Sequence, residues 1–326
     1  MNYRRVLLGI LLLCGCSSLS LLAFAADPAW PANPVHIIVP FPPGGSTDIV
    51  ARLIGQRLGE EFGQPFIVEN RPGAAGNIGT NMVVTSAPDG YTFGLTTSGP
   101  LITNRFVYKD MPFDGKKSLT PIALVGEIPL VFVVNPSVPA NNLKEFIALA
   151  RANPGKYSVG NSGKGMIGHL SVEFMQANSQ INLLSVPYKG DNPAMIDLLG
   201  GTIQAISSPL TSFITNIKAG KLRALAVTSK HRFPGLPDVP TAVEQGINVE
   251  AAIVYAFVGP IGLPRAIVDK LNAEVNRIIE SPEGRAKLAQ YGAVPAHGTP
   301  EELGTLVKSE AAKWKQLIES AHVKLD

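Results

Sequence analysis

Val35-His36-Ile37-Ile38-Val39-Pro40-Phe41 runs straight into Pro42-Pro43-Gly44-Gly45-Ser46-Thr47-Asp48, and Ile49, Val50, Leu53, Ile54, Leu58 and Phe62 then recur at helical spacing. The apolar run bounded by turn residues reads as a buried strand, and the recurrence every three or four residues reads as a helix ended by Gly63 and Pro65. Strand, glycine-rich loop and helix in that order form the unit of an α/β sheet. In such sheets ligands bind outside the carboxyl ends of the strands.

The alternation continues downstream. Strands are expected at 66–69, 91–97, 157–161, 183–188, 203–207, 222–228 and 251–258. Helices are expected near 78–85, 143–151 and 167–177, from about Pro193, from Pro209 to Gly220, and at 267–279 and 301–321. Residues 121–125 and 130–135 read as two strands separated by Pro129. The expected class is α/β, a mostly parallel sheet with helices on its faces. No tandem repeat, low-complexity tract or flexible linker interrupts it, so any two domains are joined by short hinge strands.

The first residues bear on compartment. Arg4 and Arg5 precede an apolar run at 6–13 broken only by Gly9, and Ala23-Phe24-Ala25 supplies a small-x-small cleavage pattern. This reads as a secretory signal peptide over 1–25. Cys16, within Leu13-Cys14-Gly15-Cys16, offers a second reading as a lipidated residue. Cleavage after Ala25 leaves 301 of the 326 residues and removes both cysteines, which excludes disulfides and thiol chemistry. It also takes the 28 basic residues to 26 against 25 acidic ones. A charge so near balance argues against a nucleic-acid partner. No later apolar run approaches the ~20 residues of a membrane span.

Five strand-to-helix junctions share a composition: Pro43-Gly44-Gly45-Ser46-Thr47-Asp48, Thr96-Thr97-Ser98-Gly99, Asn161-Ser162-Gly163-Lys164-Gly165, Tyr188-Lys189-Gly190-Asp191-Asn192 and Ser207-Ser208-Pro209. Glycine lets backbone approach a ligand, free N–H groups of a helix start favour an anion, and Ser and Thr hydroxyls add neutral hydrogen bonds. Gly163-Lys164-Gly165-Met166-Ile167-Gly168 also fits a dinucleotide fingerprint, but Lys189 stands where an acidic residue should meet the ribose. Lys164 sits where a nucleophile elbow needs glycine, and the histidines are scattered without metal spacing. Asp48 reads as a cap that holds its loop, and His169 as a packed or rim residue. No cofactor is expected.

At Pro40-Phe41-Pro42-Pro43-Gly44-Gly45-Ser46-Thr47-Asp48 the chain resembles the Bug-type extracytoplasmic solute receptors of tripartite tricarboxylate transporters. The likeness continues through Val68-Glu69-Asn70-Arg71-Pro72-Gly73-Ala74-Ala75-Gly76, Pro88-Asp89-Gly90-Tyr91 and Val186-Pro187-Tyr188-Lys189-Gly190. Gly220-Lys221-Leu222-Arg223-Ala224-Leu225-Ala226-Val227-Thr228, Leu236-Pro237-Asp238-Val239-Pro240-Thr241 and Trp314 complete it. The resemblance implies a periplasmic-binding-protein fold of two α/β lobes with a ligand cleft between them. Residues 26–128 and 251–326 would form the first lobe, and 129–250 the second. It further implies that the loops at 41–48 and 161–165 grip one carboxylate, partly through ordered water, and that a membrane permease receives the ligand. Ser207 or Ser208 departs from a position that is often acidic in the family, and Tyr255 from one that is often Trp.

Both readings together set the expected site. Backbone N–H groups of Gly44, Gly45, Ser46 and Thr47, with the Ser98 and Ser162 hydroxyls, would hold a carboxylate. Phe41 would pack on the ligand body, and Tyr188 and Ser207 would meet it from the other lobe. Asp48, Asn161, Gly163, Lys164, Gly165, His169, Lys189, Ser208 and Tyr255 complete the expected surroundings. The ligand could be a dicarboxylate, an aromatic carboxylate, an amino acid or a tricarboxylate. A ligand-dependent sensor and an exported hydrolase are the alternatives.

Overall fold

The computed structural model describes residues 30–320. The expected leader over 1–25, with Cys14 and Cys16, lies outside the described residues. The strands are β1 (Val35–Val39), β2 (Phe66–Asn70), β3 (Thr92–Thr97), β4 (Leu119–Val134), β5 (Ser158–Asn161), β6 (Leu184–Pro187), β7 (Ala205–Pro209), β8 (Arg223–Val227), β9 (Ala252–Pro260) and β10 (Val294–Pro295). The main helices are α1 (Ser46–Phe62), α2 (Asn77–Val84), α3 (Leu143–Ala152), α4 (Ile167–Ser179), α5 (Asp191–Leu199) and α6 (Leu210–Lys218). They continue with α7 (Arg265–Glu280), α8 (Pro282–Gln290) and α9 (Pro300–Ser320).

The sheet runs in the order β2-β1-β3-β9-β4-β7-β5-β6, with β8 and β10 also pairing with β4. Two parallel groups, β2-β1-β3 and β6-β5-β7, flank a centre in which β9 and β4 run antiparallel to each other, β9 antiparallel to β3 and β4 antiparallel to β7. The sheet is therefore mixed, which corrects the expectation of a mostly parallel one. β4 leads the chain from one half to the other and β9 follows its return, so the two run in opposite senses.

The two strands expected on either side of Pro129 are one strand of 16 residues. Residues 119–129 pair with β9, and residues 130–134 pair with β7 and β8. Proline removes a ladder donor. Here it falls where the partner strand changes, so no continuous ladder is interrupted. Beyond it the side chains alternate, Phe132 and Val134 entering one cluster and Val131 and Val133 the other. In β1 every residue but His36 is buried, which is why its sequence is nearly continuously apolar rather than alternating.

Each half has a core on both faces of its part of the sheet. Ile37, Ile54, Leu58, Phe93, Leu271 and Val275 pack on one face of the first half, with Trp30 against Phe62, Phe66 and Phe93. Trp314, Leu303 and Val307 of α9 cover the other. Where the halves meet, the buried Thr228 hydroxyl accepts the Leu130 N–H (3.0 Å) and donates to the Ala251 carbonyl (2.6 Å). It thereby ties together the outgoing and returning chain. No helix among the described residues is long and apolar enough to cross a membrane.

Candidate functional site

A cleft of about 230 Å³ lies between the halves at the carboxyl ends of the strands. Phe41, Ala75, Thr97, Ser98, Gly99, Thr103, Asn104 and Ile253 line it from the first half, and Ser162, Met166, Ile167, Gly168, Gly190, Asp191 and Pro209 from the second. Four of the five expected junctions contribute, and Phe41 stands just before the remaining one. A wider depression of about 520 Å³ at Arg57, Glu60, Arg277 and Glu283 is an open surface whose charges pair with one another.

Three helix starts reach the cleft lining: Met166 and Ile167 at α4, Gly190 and Asp191 at α5, and Pro209 at α6. None has a side-chain cap, nor has α1 at Gly45. First-turn N–H groups without intrahelical partners, with the positive ends of the dipoles, favour an anion between the halves. Gly168 permits this arrangement, because a Cβ there would stand 2.5 Å from the Ser207 carbonyl oxygen.

The first loop is held from within. Gly44, at φ +81°, donates its N–H to Asp48 Oδ2 at 2.9 Å, and Asp48 also receives Arg52 (3.0 Å) and Asn70 (3.0 Å). Burial alone would raise the Asp48 pKa, but the hydrogen bonds from Arg52, the Gly44 N–H and Asn70 together lower it. The Gly44 N–H is therefore engaged, and Gly45, Ser46 and Thr47 remain as the donors of that loop. The Ser46 hydroxyl meets the buried Tyr255 hydroxyl at 2.5 Å. Burial raises the Tyr255 pKa to about 12, so its phenol stays neutral.

Of the expected contact residues, the structure brings Phe41, Ser98 and Ser162 together in the cleft lining. Several others face inward to the protein. The Tyr188 hydroxyl donates to Asp197 at 2.7 Å, and burial followed by that carboxylate raises its pKa to about 12. Ser207 bonds Ser171 at 2.7 Å. Asn161 is fully buried between Ser185 and the Gly163 N–H. His169 Nδ1 accepts the Gly165 N–H at 3.0 Å, while Nε2 lies 3.5 Å from Glu173. Ser208 is buried, and Lys164 and Lys189 are exposed outside the lining.

Sequence reasoning missed Ala75 and Asn104, and placed Asp191 in a junction without assigning it a contact. Ala74 (φ +46°) and Ala75 (φ +51°) are both left-handed, a conformation that costs an L-residue about 1–2 kcal/mol. Asn104 holds them, donating to the Ala75 carbonyl (3.2 Å) and to Asn77 (2.6 Å) from behind a π-helical turn at Gly99–Thr103. Gly73 and Gly76 were the only local signals of this turn; nothing in the sequence pairs it with Asn104.

The family model described as tripartite tricarboxylate transporter family receptor matches residues 50–323. The chain belongs to that family. This receptor shares the mixed α/β fold of solved proteins, among them the periplasmic binding protein BugD. A protein of R. palustris solved with adipate is 36% identical over 91% of this chain and 100% of its own, with a TM-score of 0.80. The periplasmic binding protein BugD is 36% identical over 91% of this chain and 100% of its own, with a TM-score of 0.76. MatC from Rhodopseudomonas palustris with bound malate is 29% identical over 89% of this chain and 100% of its own, also at 0.76.

Proposed function

We propose that this receptor is exported, captures a small organic carboxylate between its lobes without transforming it, and delivers it to the membrane permease subunits of a tripartite transporter. The observation that carries this reading is the cleft itself, shared by both halves and faced by three uncapped helix starts. Relatives solved with adipate and malate support the carboxylate class. We place the first lobe at 26–128 plus 251–326 and the second at 129–250, because strand partners change between Pro129 and Leu130.

In this reading the N–H groups of Gly45, Ser46 and Thr47 and the hydroxyls of Ser98 and Ser162 hold one carboxylate, and Phe41 packs on its body. Dipoles and hydroxyls bind an anion reversibly, as delivery requires. Closure turns on the knot at Leu130, Thr228 and Ala251. Ser98 Oγ accepts the Val254 N–H, so its own O–H can still donate to a carboxylate.

The test is a thermal-shift screen of the purified protein against carboxylates, with solution scattering and product analysis on the hits. A ligand at ~100 times its dissociation constant stabilises the folded state by about 2.7 kcal/mol. The expected result is a stabilised, more compact protein and an unchanged ligand. Compaction reports differential affinity for the closed form. Gly45→Val should remove the binding while the fold stays intact, since Gly45 is extended at φ −74°. No stabilisation by any carboxylate, or turnover of one, would overturn the reading.

A further inference from the structure

Asp191 opens α5 and lines the cleft, and nothing assigned so far uses it. Its Oδ2 accepts the Ser212 hydroxyl at 2.5 Å. Its Oδ1 is shut off from solvent and has no hydrogen-bond partner among the described residues, and the same holds for Ser208 Oγ. The Ser162 and Ser208 hydroxyls lie close by, without the geometry of a hydrogen bond to that oxygen. Around the carboxylate, β5 and β7 carry no ionisable side chain, and among the described residues no cation pairs with it.

A carboxylate buried without a counter-charge is costly, and a neutral hydroxyl leaves the charge uncompensated. A cation repairs both deficits. The cleft thus offers anion-favouring helix starts and, beside them, one unpartnered carboxylate oxygen. That combination is complementary to a molecule carrying a carboxylate and an ammonium together. We propose that Asp191 is the specificity-determining residue of this receptor and takes the ammonium group of an amino-carboxylate. The inference rests on the capture reading above. Burial raises the Asp191 pKa, with the hydroxyls of Ser212, Ser208 and Ser162 opposing the shift, and an ammonium partner would favour the ionised form.

The experiment is calorimetry on the full protein with ligand pairs that differ only in the amino group, aspartate against succinate and glutamate against glutarate. The wild type should prefer at least one amino-carboxylate by about tenfold or more, as a hydrogen bond to a buried charge is worth. Asp191→Asn, which keeps shape and the Ser212 contact, should weaken the amino-carboxylate selectively and bring the ratio near one. Asp191→Ser provides the same readout if that variant folds poorly. Equal or tighter binding of the plain dicarboxylates by wild type would overturn this assignment and leave carboxylate capture standing. A preference that survives in both variants would overturn it too. If no member of either pair and no other carboxylate binds, both readings fall.

Discussion

The loop before α1 and the loop before α4 are latched in the same way with different chemistry. In each, a left-handed glycine, Gly44 at φ +81° or Gly165 at φ +80°, donates its N–H to the side chain four residues on. That side chain leans on a partner four residues further: Asp48 on Arg52, and His169 on Glu173. The first latch is a buried carboxylate with three hydrogen-bonding neighbours, and the second an imidazole accepting through Nδ1 with Glu173 at 3.5 Å. One backbone shape therefore has two solutions. They differ in strength, because hydrogen bonds to an ionised acceptor are roughly twice as strong as neutral ones.

The largest expected effect comes from removing the acceptors. Asp48→Ala strands the Gly44 N–H, Asn70 and the half-exposed Arg52, and should cost about 2 kcal/mol in denaturant unfolding after allowance for solvent at Arg52. His169→Ala should cost about 1 kcal/mol. Carboxylate affinity, measured by calorimetry, should fall further for Asp48→Ala. Equal losses would break the claimed asymmetry.

Next in size are the glycines. Gly44→Ala and Gly165→Ala place a Cβ in left-handed backbone and should each cost about 1 kcal/mol in urea unfolding. Gly45→Ala, in extended backbone, should leave stability close to wild type. A costly Gly45→Ala would mean that its side of the loop is also strained.

The smallest effect is on pH. Asp48 is lowered from its usual value because hydrogen bonds from Arg52, Gly44 and Asn70 outweigh burial, and Glu173 is lowered first by His169, against burial. A carboxylate with a depressed folded pKa stabilises above its unfolded value and loses that contribution as pH falls through the folded one. Stability should therefore decline on the acid side of about pH 4. Asp48→Asn should flatten that limb of the unfolding curve. An unchanged limb would assign the acid sensitivity elsewhere.

Local chemistry made much of this receptor legible. The apolar run of β1, the glycine or proline of each loop and the helical periodicity placed the strand-to-helix junctions, four of which line the cleft. The same reasoning cut β4 in two at Pro129. It could not tell that the missing N–H falls where one partner strand gives way to another, since pairing partners lie far off in the chain.

What the sequence determined by itself was the backbone plan: where strands end, where helices begin, and which short polar loops join them. These follow from φ/ψ preferences and spacing within a few residues. Only the tertiary structure decided which polar groups are left for a ligand. Ser46 meets a tyrosine 209 positions away, and Ser207 meets Ser171 across 36. Tyr188 turns to Asp197, while Asp191 keeps one oxygen without a partner. A hydroxyl's chemistry is the same wherever it stands, but its availability depends on neighbours that folding brings from elsewhere in the chain.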